Sequence, residues 1–152
     1  MITKVLMVCL GNICRSPLAE GLLQQKVDPE KIQVASAGTA GYHVGNPPDE
    51  RSIAVAAKYG LDISQQRSRK LIAKDLERFD YIYAMDRSNY RDILALAETN
   101  VQAAKVRLLL ETAATSESDV PDPYYGGEDG FEKVYSMVNE ACERIAEQLQ
   151  SN

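Results

Sequence analysis

Apolar positions fall along this chain in two rhythms. The stretch "TKVLMVC", residues 3–9, is apolar from Val5 to Cys9 without alternation, which predicts a strand buried on both faces. Past a short loop, Leu18, Leu22 and Leu23 recur at helical spacing. Pro17 suits the first helical position, where its missing N–H is harmless, and "VDPE" ends the segment. "IQVASAG" predicts a second strand running into "TAGYHVGNPPD", a loop rich in turn formers. "ERSIAVAAKYGLD" predicts a helix stopped at Gly60. "DLERFDYIYAM" predicts a helical turn and a third strand, "DRSNYRDILALA" a helix, and "AKVRLLL" a fourth strand. "SESDVPDPYYGGEDG" reads as a long loop. Phe131, Val134, Val138, Cys142, Ile145 and Leu149 then mark one face of a closing helix.

Strands alternating with helices indicate an α/β fold, a parallel sheet covered on both faces. Its 152 residues suit one domain, 1–152, and they show no repeat, low-complexity tract or linker. In such sheets ligands bind beyond the carboxyl ends of the strands, and Cys9 ends the first strand. A site is expected there.

Composition narrows the choice. Hydrophobic residues make up 45% of the chain, and the net charge of −5 argues against nucleic acid or an anionic membrane as partner. No apolar stretch approaches the roughly 18 residues a membrane span needs, and the first residues do not resemble a signal peptide. Three cysteines are too few, and odd in number, for a secreted disulfide framework, so a cytoplasmic setting is expected. One histidine and no Cys/His ligand spacing predict no metal site.

The chemistry concentrates between Cys9 and Ser16. A loop feeding a helix can turn successive N–H groups inward as an anion-binding nest, and the helix N-terminus adds donors and a positive dipole end. Gly11 and Asn12 are the residues there best able to take left-handed backbone angles. Arg15 offers a planar fork for two phosphate oxygens, which lysine cannot. The same positive surroundings are expected to lower the pKa of Cys9 and yield a thiolate nucleophile. Ser16 is placed to cap the helix and to donate toward that sulfur. The Gly-Lys-Ser/Thr element of a nucleotide P-loop is absent. Cys-x5-Arg alone is a weak signal. The flanking strand, Ser-Pro and helix make it a strong one.

With these residues the chain resembles the low-molecular-weight protein tyrosine phosphatases. "VCLGNICRSP" is similar to their signature loop, and "SAGT", "FDYIYAMDRSN" and "DVPDPYYGG" match further family segments in order. The resemblance implies a three-layer domain with a four-stranded parallel sheet, flanking helices and a phosphate-binding loop after the first strand. That loop comprises Leu10, Gly11, Asn12, Ile13, Cys14 and Ser16. The resemblance also implies no cofactor, with Cys9 as nucleophile, Arg15 as phosphate clamp and Asp122 as general acid. Phosphotyrosyl proteins are the implied substrates, and phosphate-like oxyanions the implied inhibitors. Chemistry agrees on Asp122: the departing aryl oxygen needs a proton, the phosphocysteine needs a base to activate water, and one carboxyl can do both in turn. Pro121 and Pro123 would stiffen its loop, and nearby negative charge should favour its protonated form in the complex.

The family pattern further implies Leu10, Tyr42 and Tyr124 as walls of a slot for an aromatic ring. It makes Tyr125 a candidate phosphorylation target, and Asn12 bonded to Ser36 an internal brace for the loop. Many members add a histidine in the segment that reads "SQQRSR" here, where this chain has Gln66; its one histidine, His43, stands beside Tyr42. Cys14 is implied as a redox partner for Cys9. Cys142, on the apolar stripe, reads as core.

Three alternatives stay open. A thioredoxin-coupled arsenate reductase shares this loop but needs two further cysteines, and residues 72–100 contain none. A phosphoarginine phosphatase could use a similar slot. An oxyanion-binding module without turnover could dispense with Cys9 or Asp122, and both are present. Oligomeric state is not legible in the sequence.

Overall fold

A computed structural model describes residues 1–113 and 115–151. Four strands, β1 (Thr3–Cys9), β2 (Ile32–Gly38), β3 (Tyr81–Ala84) and β4 (Val106–Leu108), form one sheet in the order β2-β1-β3-β4. Every neighbouring pair is parallel. The helices are α1 (Arg15–Lys26), α2 (Glu50–Lys58), α3 (Asp75–Arg78), α4 (Arg87–Leu94), α5 (Asn100–Ala104) and α6 (Glu128–Gln150).

The unbroken apolar run of β1 has a physical cause. Successive strand side chains point to opposite faces, and here both faces are covered. Val5, Met7 and Cys9 join a core built with Leu18 and Leu22 of α1, Val55 of α2, and Phe131, Val134 and Val138 of α6. Leu6 and Val8 join a second core with Leu76 of α3, Ile82 and Ala84 of β3, and Ile93 of α4. Cys142 is fully buried in the first core, as the stripe predicts. Among the described residues, no helix is long and apolar enough to cross a membrane.

Three local expectations are corrected. Pro17 is the third residue of α1 rather than the first; its absent N–H is still one of the four that a helix start leaves without an intrahelical partner. The fourth strand ends at Leu108, because Leu109–Thr112 tightens into a 3-10 turn that buries Leu109 and Leu110 against the first core. Helix α5, absent from the pattern reading, is only five residues long and is started by the Thr99 hydroxyl, which accepts from the Gln102 amide.

This topology places a site. The chain leaves β1 for β2 on one side, then returns past β1 to β3 on the other, so the carboxyl ends of β1 and β3 flank the point where the order reverses. Val8 pairs with Ala84, so Cys9 and the residues after Ala84 emerge side by side.

Candidate active site

Residues 9–16 wrap into a tight ring whose carbonyls are claimed from outside. Thr39 and Ala40 donate their amides to the carbonyls of Cys9 and Leu10, each at 2.9 Å, and Asp49 donates to Ile13 at 2.8 Å. The Ser68 and Ser52 hydroxyls donate to the carbonyls of Gly11 (3.0 Å) and Cys14 (3.1 Å). In a trans peptide the next N–H points opposite to the carbonyl, and no peptide here is cis. The amides of Leu10, Gly11, Asn12, Cys14 and Arg15 are therefore aimed away from those partners, toward the inside of the ring. Amides turned this way are what an anion-binding nest requires.

Among the described residues Asn12 is the one non-glycine residue with positive φ, 57°, and its side chain braces that geometry. Its Nδ2 donates to Ser16 Oγ (2.8 Å) and Ser36 Oγ (2.9 Å), and its Oδ1 accepts from the Arg69 amide (3.0 Å). Ser36 in turn donates to Glu20 Oε1 at 2.7 Å. Burial holds the Glu20 carboxyl above its ordinary range, against the Ser36 bond and the Arg69 charge. Ser16 Oγ lies 3.0 Å from Cys9 Sγ. Ser16 does not cap α1, as the sequence suggested; Cys14 is the capping residue, without a side-chain bond, and the Ser16 hydroxyl is turned to the sulfur. Gln66 donates to the Pro17 carbonyl at 3.0 Å and takes no part in bracing Asn12. The contact that this segment makes with Asn12 comes from the Arg69 backbone amide.

Arg15 is a buried cation, 2% exposed. Its Nη1 donates to Asp86 Oδ2 at 2.6 Å and to the Val120 carbonyl at 3.0 Å, while Nη2 stands 3.6 Å from Asp122 Oδ2. Its Nε has no hydrogen-bond partner among the described residues. Burial opposes its charge, but the nearby Cys9, the Asp86 bond and Asp122 together raise its pKa above the ordinary arginine value. Asp86 stands two residues past the end of β3 and caps α4 through Oδ1, which accepts from the Asn89 amide at 2.7 Å. Val120 donates its amide to the Met85 carbonyl (2.8 Å), and Asp119 accepts from the Arg87 amide (2.9 Å). These bonds carry the segment bearing Asp122 to the mouth of the ring, where Asp122 Oδ1 accepts from the Tyr124 amide at 3.1 Å.

A cavity of about 100 Å³ is lined by Cys9, Leu10, Gly11, Ile13, Cys14, Arg15, Tyr42, His43, Asp122, Tyr124 and Tyr125. The predicted nucleophile, clamp, acid and walls thus share one cavity. Tyr42 is 76% and Tyr125 95% exposed, so both stand at the rim, and Tyr125 meets Tyr124 edge-on at 4.9 Å. Cys14 is buried, and burial first, then the charges of Asp49, Cys9 and Asp122, push its thiol up to about 12.

Sequence reading missed Asp86, Glu20, Arg51 and Arg69. For Asp86 a signal existed: an acid within two residues of the end of the third strand falls where parallel pairing brings the chain beside a Cys-x5-Arg loop. The other three are set by long-range packing.

Comparison with known proteins is consistent across the chain. The family profile described as low molecular weight phosphotyrosine protein phosphatase matches residues 4–152. A low molecular weight phosphotyrosine protein phosphatase of Schizosaccharomyces pombe is 44% identical over 141 residues, 89% of each chain. A protein tyrosine phosphatase from Entamoeba histolytica, solved with Hepes in the active site, aligns with TM-score 0.92 and 37% identity, covering 98% of this chain and 97% of that one. The arginine phosphatase of Drosophila aligns with TM-score 0.90 and 34% identity over 99% of each chain.

Proposed function

The chain belongs to the low molecular weight phosphotyrosine protein phosphatase family, and from its cavity we propose that it hydrolyses phosphotyrosine in proteins, and small aryl phosphates, through a phosphocysteine on Cys9. The reading treats residues 1–152 as one domain.

One observation carries it. Nη1 of Arg15 is committed to Asp86 and Val120, which among the described residues leaves Nε without a partner and Nη2 with only the long contact to Asp122. That free edge, Nε and Nη2, fits two oxygens of a phosphoryl group beside the Cys9 sulfur. The inward amides of the ring supply further donors where charge develops on the equatorial oxygens.

In the first step Cys9 Sγ bonds to phosphorus, the bond from phosphorus to the aryl oxygen breaks, and Asp122 gives that oxygen a proton. In the second, the Asp122 carboxylate takes a proton from water as the water oxygen attacks phosphorus. The P–S bond breaks, releasing inorganic phosphate and restoring the thiolate. The Ser16 hydroxyl, 3.0 Å from the sulfur, stabilises the thiolate as leaving group. Leu10, Tyr42 and Tyr124 flank the aryl ring of the substrate, so a shorter phosphoserine stops short of the sulfur. Phosphate-like oxyanions would occupy the ring and inhibit.

The test is phosphate release from a phosphotyrosine peptide, with phosphoserine and phosphoarginine peptides and arsenate reduction alongside. Release confined to phosphotyrosine, lost in Cys9→Ser and lowered about 10²–10⁴-fold in Asp122→Ala, is the expected result. Undiminished aryl phosphate hydrolysis by Asp122→Ala would remove the acid assignment. The likeness to an arginine phosphatase keeps phosphoarginine as a second reading, and faster release from that peptide would favour it.

A further inference from the structure

The acid-bearing loop has few ties. Within residues 121–126, Tyr124 N donates to Asp122 Oδ1 and Gly126 N to the Pro123 carbonyl, so these bonds only shape the turn itself. Among the described residues, two hydrogen bonds connect this segment to the rest of the chain, and both come from Arg51. Its Nη2 donates to the Tyr124 carbonyl at 2.8 Å and its Nη1 to the Gly126 carbonyl at 3.2 Å. The remaining polar contact is the 3.6 Å approach of Arg15 to Asp122.

Arg51 is itself fixed. Asp49 Oδ1 accepts from its Nε and Asp49 Oδ2 from its Nη2, each at 3.0 Å, a two-pronged pair whose geometry lysine cannot copy. The guanidinium lies 4.5 Å from the centre of the Phe131 ring. Asp49 also caps α2 through the Arg51 amide, and its own amide donates to the Ile13 carbonyl of the ring at 2.8 Å. The chain of contacts runs from the phosphate loop through Asp49 and Arg51 to the turn that bears Asp122.

We propose that Arg51 is a positioning residue that sets Asp122 over the scissile oxygen by registering the acid loop against the phosphate loop. This rests on the reading of Asp122 as the general acid. An acid displaced by about 1 Å loses most of its value for a leaving group that needs a proton, and little for one that does not.

The experiment measures kcat/KM for phenyl phosphate, a poor leaving group, and p-nitrophenyl phosphate, a good one, in wild type, Arg51→Ala, Arg51→Lys, Asp122→Ala and the Arg51→Ala/Asp122→Ala double variant. Arg51→Ala should lose about tenfold or more on phenyl phosphate and under about threefold on p-nitrophenyl phosphate. The double variant should be no slower than Asp122→Ala on phenyl phosphate, since the two residues act in one step. Arg51→Lys keeps the charge over Phe131 but not the fork, and should fall between; it carries the test if the alanine variant melts early. Equal losses on both esters in Arg51→Ala and Arg51→Lys, with Asp122→Ala still selective for the poor leaving group, would overturn the positioning role alone. An Asp122→Ala variant that does not distinguish the esters would overturn the acid assignment and this proposal with it.

Discussion

Arg15 and Asp86 meet at 2.6 Å, joining the first residue of α1 to the residue that caps α4 just past the end of β3. The two oxygens of Asp86 have separate duties: Oδ2 accepts from Arg15, and Oδ1 accepts from the Asn89 amide at the start of α4. An amide at this position can supply only one of these acceptors. Removing one partner of a buried pair leaves the other charge uncompensated, which costs more than the pair itself contributes.

Asp86→Ala should therefore lower unfolding free energy by about 3 kcal/mol, from the stranded Arg15 and the lost helix cap together. Asp86→Asn should be milder in stability, yet lower kcat/KM for aryl phosphates about tenfold, because Arg15 loses its orienting charge. Urea unfolding and steady-state kinetics on both variants decide it. Wild-type kinetics in Asp86→Asn would mean that Val120 alone orients the guanidinium.

The three thiols are set apart by their surroundings. Burial pushes Cys14 and Cys142 each up to about 12, so both stay protonated and unreactive through neutral and moderately alkaline pH. Cys9 lines the cavity beside Ser16 and Arg15. Brief iodoacetate treatment at about pH 8 to 9, below the range where Cys14 and Cys142 ionise, should label Cys9 alone, read by peptide mass. Label on Cys14 in the folded protein below pH 10 would contradict the burial argument.

Much of this site was legible because its chemistry is local. Cys9, Asn12, Arg15 and Ser16 lie within eight residues, and the run of Val5 to Val8 betrayed a strand covered on both faces. Helix α5 was not legible: five residues give no complete apolar face, and its start depends on the Thr99 hydroxyl. The end of β4 was missed for a similar reason. Leu108, Leu109 and Leu110 are identical in type, and only packing decides where pairing stops. Asp86, Glu20 and Arg51 act across 71, 16 and 73 positions, to Arg15, Ser36 and Tyr124, so no window of sequence contains both partners.

Glu20 gives a stability effect whose sign is fixed. Its folded pKa is raised by burial, so above the ordinary carboxylate value the folded state binds the proton more tightly than the unfolded one. Its contribution is fully present at acidic pH and is lost as pH rises through the folded pKa. Glu20→Gln can still accept from Ser36 and carries no charge to desolvate. It should match wild type in Tm near pH 4 and exceed it near pH 8, by thermal melts across that range. A Gln variant less stable at pH 8 would show that the carboxylate's attraction to Arg69 outweighs its burial.

The close approach of β2 to the phosphate loop supplies the last prediction. Gly38 pairs with Cys9, and a Cβ placed on it would stand 2.7 Å from the Leu10 carbonyl oxygen, 3.1 Å from the Ala40 carbonyl oxygen and 3.1 Å from the Asn12 amide nitrogen. All three obstacles are backbone, so no side chain can swing aside. Gly38 cannot retreat either, because its amide donates to the Arg69 carbonyl (2.9 Å) and its carbonyl accepts from Leu71 (2.7 Å). The strain in Gly38→Ala must fall on the ring at Leu10 and Asn12, the part that aims amides at phosphate. We expect a folded protein destabilised by about 1–3 kcal/mol, with kcat/KM lowered about 10²-fold and weaker competitive inhibition by inorganic phosphate. The joint loss of turnover and phosphate affinity is the informative outcome, since a general loss of stability would leave the inhibition constant of the folded fraction unchanged. Wild-type turnover and phosphate inhibition in Gly38→Ala would mean that the ring has slack its packing does not suggest.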